Sequence, residues 1–75
     1  MCILDRGNIK DPNAVPALAK ALTSKEVLIR QHAAWALGQI GGTTAYRTLQ
    51  SAYAKEKNEE VKQEISLSLK DIELR

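Results

Sequence analysis

The sequence predicts an all-α fold, an antiparallel helix-pair solenoid. Three observations predict it. Apolar residues recur at helical spacing, capping and breaking residues cut the chain into helix-length segments, and the chain repeats itself with a period of 31–32 residues.

The repeat is the strongest of the three. At an offset of 31, Gly7-Asn8-Ile9 falls on Gly38-Gln39-Ile40, Ala14 on Ala45, Leu18 on Leu49, Ala21 on Ala52 and Leu22 on Tyr53. One inserted residue near Lys57 makes the offset 32. Ile29-Arg30-Gln31 then falls on Val61-Lys62-Gln63, Trp35 on Leu67, Leu37 on Leu69 and Ile40 on Ile72. Helix pairs that stack on their neighbours keep apolar positions in register in this way.

The elements follow in order. Asp11 can cap a helix whose first residue is Pro12, and Val15, Leu18, Ala19 and Leu22 form its stripe. Pro16 falls near the first turn, where its missing N–H costs little. Thr23-Ser24 ends this helix, and Ser24 is expected to cap the next, with Ile29, Ala33, Ala36, Leu37 and Ile40 as its stripe. Gly41-Gly42 stops it, because glycine tolerates the left-handed conformation found after helix C-termini. Thr43 or Thr44 is expected to cap a third helix carrying Ala45, Leu49, Ala52 and Tyr53. Asn58 is expected to cap a fourth, with Glu59 and Glu60 in its first turn and Val61, Ile65, Leu69 and Ile72 inside. The expected helices span 12–22, 25–40, 43–56 and 59–73. They form a repeat at 11–42 and a terminal one at 43–75, after a partial N-terminal helix at 1–10, the remnant of a preceding repeat.

Composition narrows the function. The 11 basic and 9 acidic side chains are nearly balanced, and the small excess lies in residues 1–42, with five basic against three acidic. Cys2 is the one cysteine and His32 the one histidine, so neither a disulfide nor a cysteine–histidine zinc site is expected within the chain. No cofactor and no catalytic residue is expected. The longest uncharged run, Gln31 to Tyr46, includes Gln, His, Gly and Thr, so no membrane helix is expected. The start Met1-Cys2-Ile3-Leu4-Asp5-Arg6 lacks the basic-then-apolar order of a signal peptide, and a cytoplasmic protein is expected. Just over two repeats are fewer than the three or so that a stable array needs, so the chain is expected to be a piece of a larger protein, from its C-terminal end. An open apolar edge at Ile3, Leu4 and Ile9 would favour self-association.

The strings Asp11-Pro12-Asn13-Ala14-Val15-Pro16-Ala17-Leu18, Val27-Leu28-Ile29-Arg30 and Ala33-Ala34-Trp35-Ala36-Leu37-Gly38-Gln39-Ile40-Gly41 resemble the HEAT-like repeat of the bilin-lyase type. The resemblance runs from Asp11 to about Ile72 and implies fold more than function, since such repeats occur in bilin lyases, scaffolds and appended enzyme domains. More narrowly, Ile29-Arg30-Gln31-His32-Ala33-Ala34-Trp35-Ala36-Leu37-Gly38 resembles the C-terminal repeat region of bacterial epoxyqueuosine reductases. That family is implied to be a cobalamin and iron–sulfur enzyme acting on tRNA, with a HEAT-like tail that helps hold the tRNA. The cysteine clusters that would hold its iron–sulfur centres are absent here. Many HEAT repeats place an aspartate just before the second helix, bonded to a ladder arginine. Here the region reads Ser24-Lys25-Glu26, a departure that puts the ladder in question.

The expected function is therefore binding without catalysis, through the second helices. The candidate surface is Lys25, Arg30, Gln31, His32, Trp35, Lys62 and Gln63. Repeat stacking sets equivalent residues side by side, so Lys25, Arg30, Lys57 and Lys62 can form a basic row that contacts phosphates. For Arg30 itself the first reading is a structural arginine bonded to a neighbouring turn or carbonyl, and a place in the basic row is the alternative. Trp35 has apolar equivalents, which favours an inter-repeat contact over base stacking, and His32 is expected to be exposed. Tyr46 and Tyr53 stand where Val15 and Leu22 stand, as contact residues with polar tips, and Glu56-Lys57-Asn58-Glu59-Glu60 reads as a solvated turn. The expected partner is tRNA or another protein domain, with no membrane. The leading reading is the tRNA-contacting tail of a tRNA-modifying enzyme; the alternatives are a protein-interaction scaffold fragment and a bilin-lyase-type repeat piece.

Overall fold

The computed structural model describes residues 12–74. The expectations for Cys2, for the apolar edge at Ile3, Leu4 and Ile9, for the partial helix at 1–10 and for the Asp11 cap fall outside these residues. A 3-10 turn, Pro12–Ala14, leads into α1 (Val15–Ala21). Then follow α2 (Val27–Ile40), α3 (Gly42–Lys55) and α4 (Glu59–Glu73). No strand occurs among the described residues.

The helix starts differ from expectation in three places, each for a local reason. The first helix does not begin at Pro12. Its first three residues take the tighter 3-10 form, and Pro16 then sits in the first turn of α1, where no intrahelical N–H bond is lost. Ser24 does not cap α2. Its hydroxyl accepts the Glu26 N–H at 3.1 Å and shapes the preceding turn, while Glu26 takes the N-cap position in extended backbone without a side-chain bond. Neither Thr43 nor Thr44 caps α3. Gly41 and Gly42 carry φ of 72° and 86°, reverse the chain within two residues and place both threonines inside the helix. Asn58 caps α4 as expected, its side-chain oxygen accepting the Glu60 and Val61 N–H groups at 2.9 and 3.1 Å.

The helices pair as a repeat requires: α1 packs on α2, α3 on α4, and the second pair lies beside the first through α1–α3 and α2–α4 contacts. The α2–α4 contact is the most extensive. The core between the four helices holds Leu37, Leu49, Val61 and Ile65, all fully buried, with Val15, Leu22, Ala33, Ala34 and Ala45 around them. Each buried valine, leucine or isoleucine among them stabilises the fold by about 1.5–3 kcal/mol. Close approach of the two second helices depends on Gly38. A Cβ added there would lie 2.8 Å from both Cβ and Oγ of the buried Ser68.

The repeat positions diverge at the flank. Val15 and Leu22 are buried in the core, whereas their equivalents Tyr46 and Tyr53 reach the surface and end in polar contacts. The Tyr46 hydroxyl donates to Glu73, and Lys62 Nζ lies 5.0 Å from the centre of the Tyr53 ring. The Glu73 hydrogen bond, with lesser help from desolvation and the carboxylate charge, raises the Tyr46 hydroxyl above its ordinary pKa.

Candidate binding surface

Arg30 is tied into the fold. It stands in the first turn of α2, and its guanidinium spans the two inter-helix turns. Nη1 donates to the Ser24 carbonyl at 2.7 Å, Nε donates to Glu56 Oε1 at 2.9 Å, and Nη2 donates to Glu56 Oε2 at 3.0 Å. The second carboxylate oxygen also accepts the Asn58 N–H at 3.0 Å. The side chains are 17% and 6% exposed, so the pair is largely withdrawn from water. Burial pushes the Glu56 carboxyl up. The Arg30 hydrogen bond, the Asn58 and Lys57 backbone N–H groups and the Arg30 charge outweigh it and hold the carboxyl below its ordinary range. Glu56 thus does not belong to a solvated charge run. It is the ladder acid, contributed by the following repeat rather than by Ser24-Lys25-Glu26. The signal in the sequence was an acid in the turn ahead of the second helix of the second repeat, three residues before Glu59.

The clamp fixes the surroundings of the other cations. Lys25 lies in the turn before α2 and Lys57 in the turn before α4, both exposed, and Arg30 joins these turns. Lys62, half-buried one turn into α4, sits over Tyr53. Gln63 is exposed on α4.

A second group gathers around Trp35, which is 47% exposed on α2. Its equivalent on α4, Leu67, is 56% exposed, and Leu28, two turns before Trp35, is 65% exposed. Both side chains reach the surface of the second helices. One depression of about 340 Å³ is lined by Leu28, Gln31, His32, Trp35 and Glu64. Another of about 260 Å³ joins Trp35 to Gly38, Glu64, Leu67, Ser68 and Asp71. Gln31, His32 and Trp35 are thus brought together, and Lys25, Arg30, Lys62 and Gln63 are not part of that group. Glu64, Leu67 and Asp71 are surface residues that sequence reasoning did not single out. Only packing of α2 against α4 makes them neighbours of Trp35.

Among the described residues, no helix is long and apolar enough to cross a membrane, and no three His, Cys, Asp or Glu side chains group to hold a metal ion. The chain is similar to epoxyqueuosine reductase of Bacillus subtilis, at 41% identity over 73 residues, covering 96% of this chain and 18% of that protein. It is similar at 35% over 68 residues to epoxyqueuosine reductase of Bacillus cereus, covering 89% and 18%. It is also similar to an uncharacterized protein in the gldA 3' region of Geobacillus stearothermophilus, at 41% over 64 residues, covering 84% and 30%. The chain thus spans less than a third of the length of each of these relatives. No solved structure shows significant similarity. The HEAT repeats family matches residues 1–70, and with two stacked helix pairs in the structure the chain belongs to the HEAT-repeat family.

Proposed function

We propose that this chain is the non-catalytic HEAT-repeat portion of a cytoplasmic, epoxyqueuosine reductase-like protein, and that it helps position tRNA by backbone contact. Similarity to part of epoxyqueuosine reductase across 73 residues carries the reading. The chemistry of reduction is then supplied elsewhere in the longer protein. Geometry supports a contact edge at the turns. Arg30 is consumed by Glu56 and Ser24, and in that role it draws together the turns that bear the exposed Lys25 and Lys57. Two ammonium groups at one end of the stack suit phosphates, which they neutralise without reading sequence.

The test is a titration of a tRNA with the folded chain, read by RNA anisotropy at several salt concentrations. The double variant Lys25→Glu/Lys57→Glu should weaken binding and flatten the salt dependence by about 0.7–0.9 logarithmic units per lost phosphate contact. Unchanged affinity and slope in a folded variant would remove the turns from the reading. Arg30 is not a suitable target, because reversing its charge breaks the clamp itself.

A further inference from the structure

We propose that the groove around Trp35, between α2 and α4, binds an arginine-bearing protein segment. The proposal is independent of the tRNA reading, since none of Lys25, Lys57 and Lys62 lines this groove.

Trp35, Leu28 and Leu67 offer about half or more of their surface to solvent along one strip. The strip is not flat. Gly38 lies one helical turn beyond Trp35, and α2 and α4 meet there with only the short Ser68 side chain between their backbones. The missing side chain lowers the floor between the indole and Leu67. The walls are acidic: Glu64 lines both depressions and Asp71 lines the second, while no lysine or arginine lines either.

That combination selects a planar cation. A guanidinium stacks on the face of an indole while its edge donates paired hydrogen bonds to a carboxylate. Glu64, beside Trp35 in both depressions, is the acceptor placed for this, and the arginine stem can lie along Leu67 as its head meets the acid. A lysine carries the charge but cannot stack as a plane or make the paired bonds. A phosphate or nucleic-acid backbone would meet the Glu64 carboxylate, with no lysine or arginine lining the groove, which disfavours it at this place. An apolar residue flanking the arginine would cover Leu28.

The probe is a blocked peptide containing a single Leu-Arg-Leu sequence, titrated into the intact chain while Trp35 fluorescence is followed. Its Leu-Lys-Leu counterpart and polyuridylate serve as comparisons. The arginine peptide should give a saturable change and bind at least threefold tighter than the lysine peptide. Glu64→Gln should weaken it at least threefold, and Trp35→Leu, the residue found at the equivalent position, should weaken it further, with circular dichroism showing both variants folded. Should Glu64→Gln disturb folding, Glu64→Ala replaces it with the same expectation. Equal binding of the two peptides, or an unchanged affinity in the folded carboxylate variants, overturns the proposal. Saturable quenching by polyuridylate in place of the arginine peptide also overturns it and makes Trp35 a base-stacking residue. Loss of tRNA binding in Lys25→Glu/Lys57→Glu with the Trp35 response intact would separate the two surfaces.

Discussion

The guanidinium of Arg30, in the first turn of α2, grips the carboxylate of Glu56, in the turn before α4, through two hydrogen bonds of 2.9 and 3.0 Å. One residue belongs to each repeat. The pair therefore spans the repeat boundary as well as bracing a turn, since a third bond reaches the Ser24 carbonyl. Its withdrawal from water makes its loss costly, because removal of one partner leaves the other charge poorly solvated.

Replacing either member should accordingly destabilise the chain. Arg30→Ala and Glu56→Gln are each expected to cost about 2–4 kcal/mol, below the top of the range for fully buried pairs. Thermal or urea unfolding followed by circular dichroism measures this. A double-mutant cycle should return a coupling of at least about 1 kcal/mol.

The same pair sets an acid limit on stability. The Glu56 carboxyl is held below its ordinary value in the folded chain, so the unfolded chain binds its proton first as pH falls. The contribution is fully present above the unfolded value of about 4.3 and is lost as pH drops through the lower folded value. The gap in melting temperature between the natural chain and Glu56→Gln should therefore be widest near neutrality and close in that acidic window. A gap that stays constant down to low pH would contradict the assignment.

Gly38→Ala tests the close approach of the second helices. Alanine favours helix by about 1 kcal/mol over glycine, yet here its Cβ would meet Ser68 at 2.8 Å. Overpacking of this kind costs about 1–3 kcal/mol, so the net effect should be destabilising. Pairing Gly38→Ala with Ser68→Gly should recover part of the loss beyond additivity, as denaturant unfolding of all four chains would show.

Asn58→Ala removes the side-chain acceptor for two N–H groups at the start of α4 and should cost about 1 kcal/mol. Asn58→Ser, which keeps an acceptor, should cost less. Amide exchange at Glu60 and Val61 should rise in the alanine variant more than in the serine one.

Glu73→Gln addresses the outer contact of the second repeat. Without the carboxylate that accepts its proton, the Tyr46 phenol should titrate closer to its ordinary range, as ultraviolet difference absorbance at alkaline pH would record.

Much of the fold was written in local chemistry. The Asn58 cap and the α4 interval from Glu59 to Glu73 follow from a side-chain acceptor and a run of regularly spaced apolar residues, both legible without knowledge of the neighbours. The stop at Gly41-Gly42 follows from a conformation that few other residues adopt. The starts of α1, α2 and α3 were less legible, because serine and threonine satisfy backbone groups in turns as readily as at caps. Ser24 does so one residue pair ahead of α2.

The candidate surface divides along the same line. By itself the sequence determined that this is an all-α repeat chain, which positions are equivalent, and that Lys25 and Lys57 share a register. Only the tertiary structure decided that Arg30 is spent on Glu56, 26 positions away, and that Trp35 lines one depression together with Gly38, Glu64 and Asp71. The reason is physical. Helical periodicity is set by contacts within a few residues along the chain. Which charge pairs with which, and whether an apolar side chain ends in the core or on the rim, depends on how closely two helices approach. That approach is set here by the side chain that Gly38 lacks.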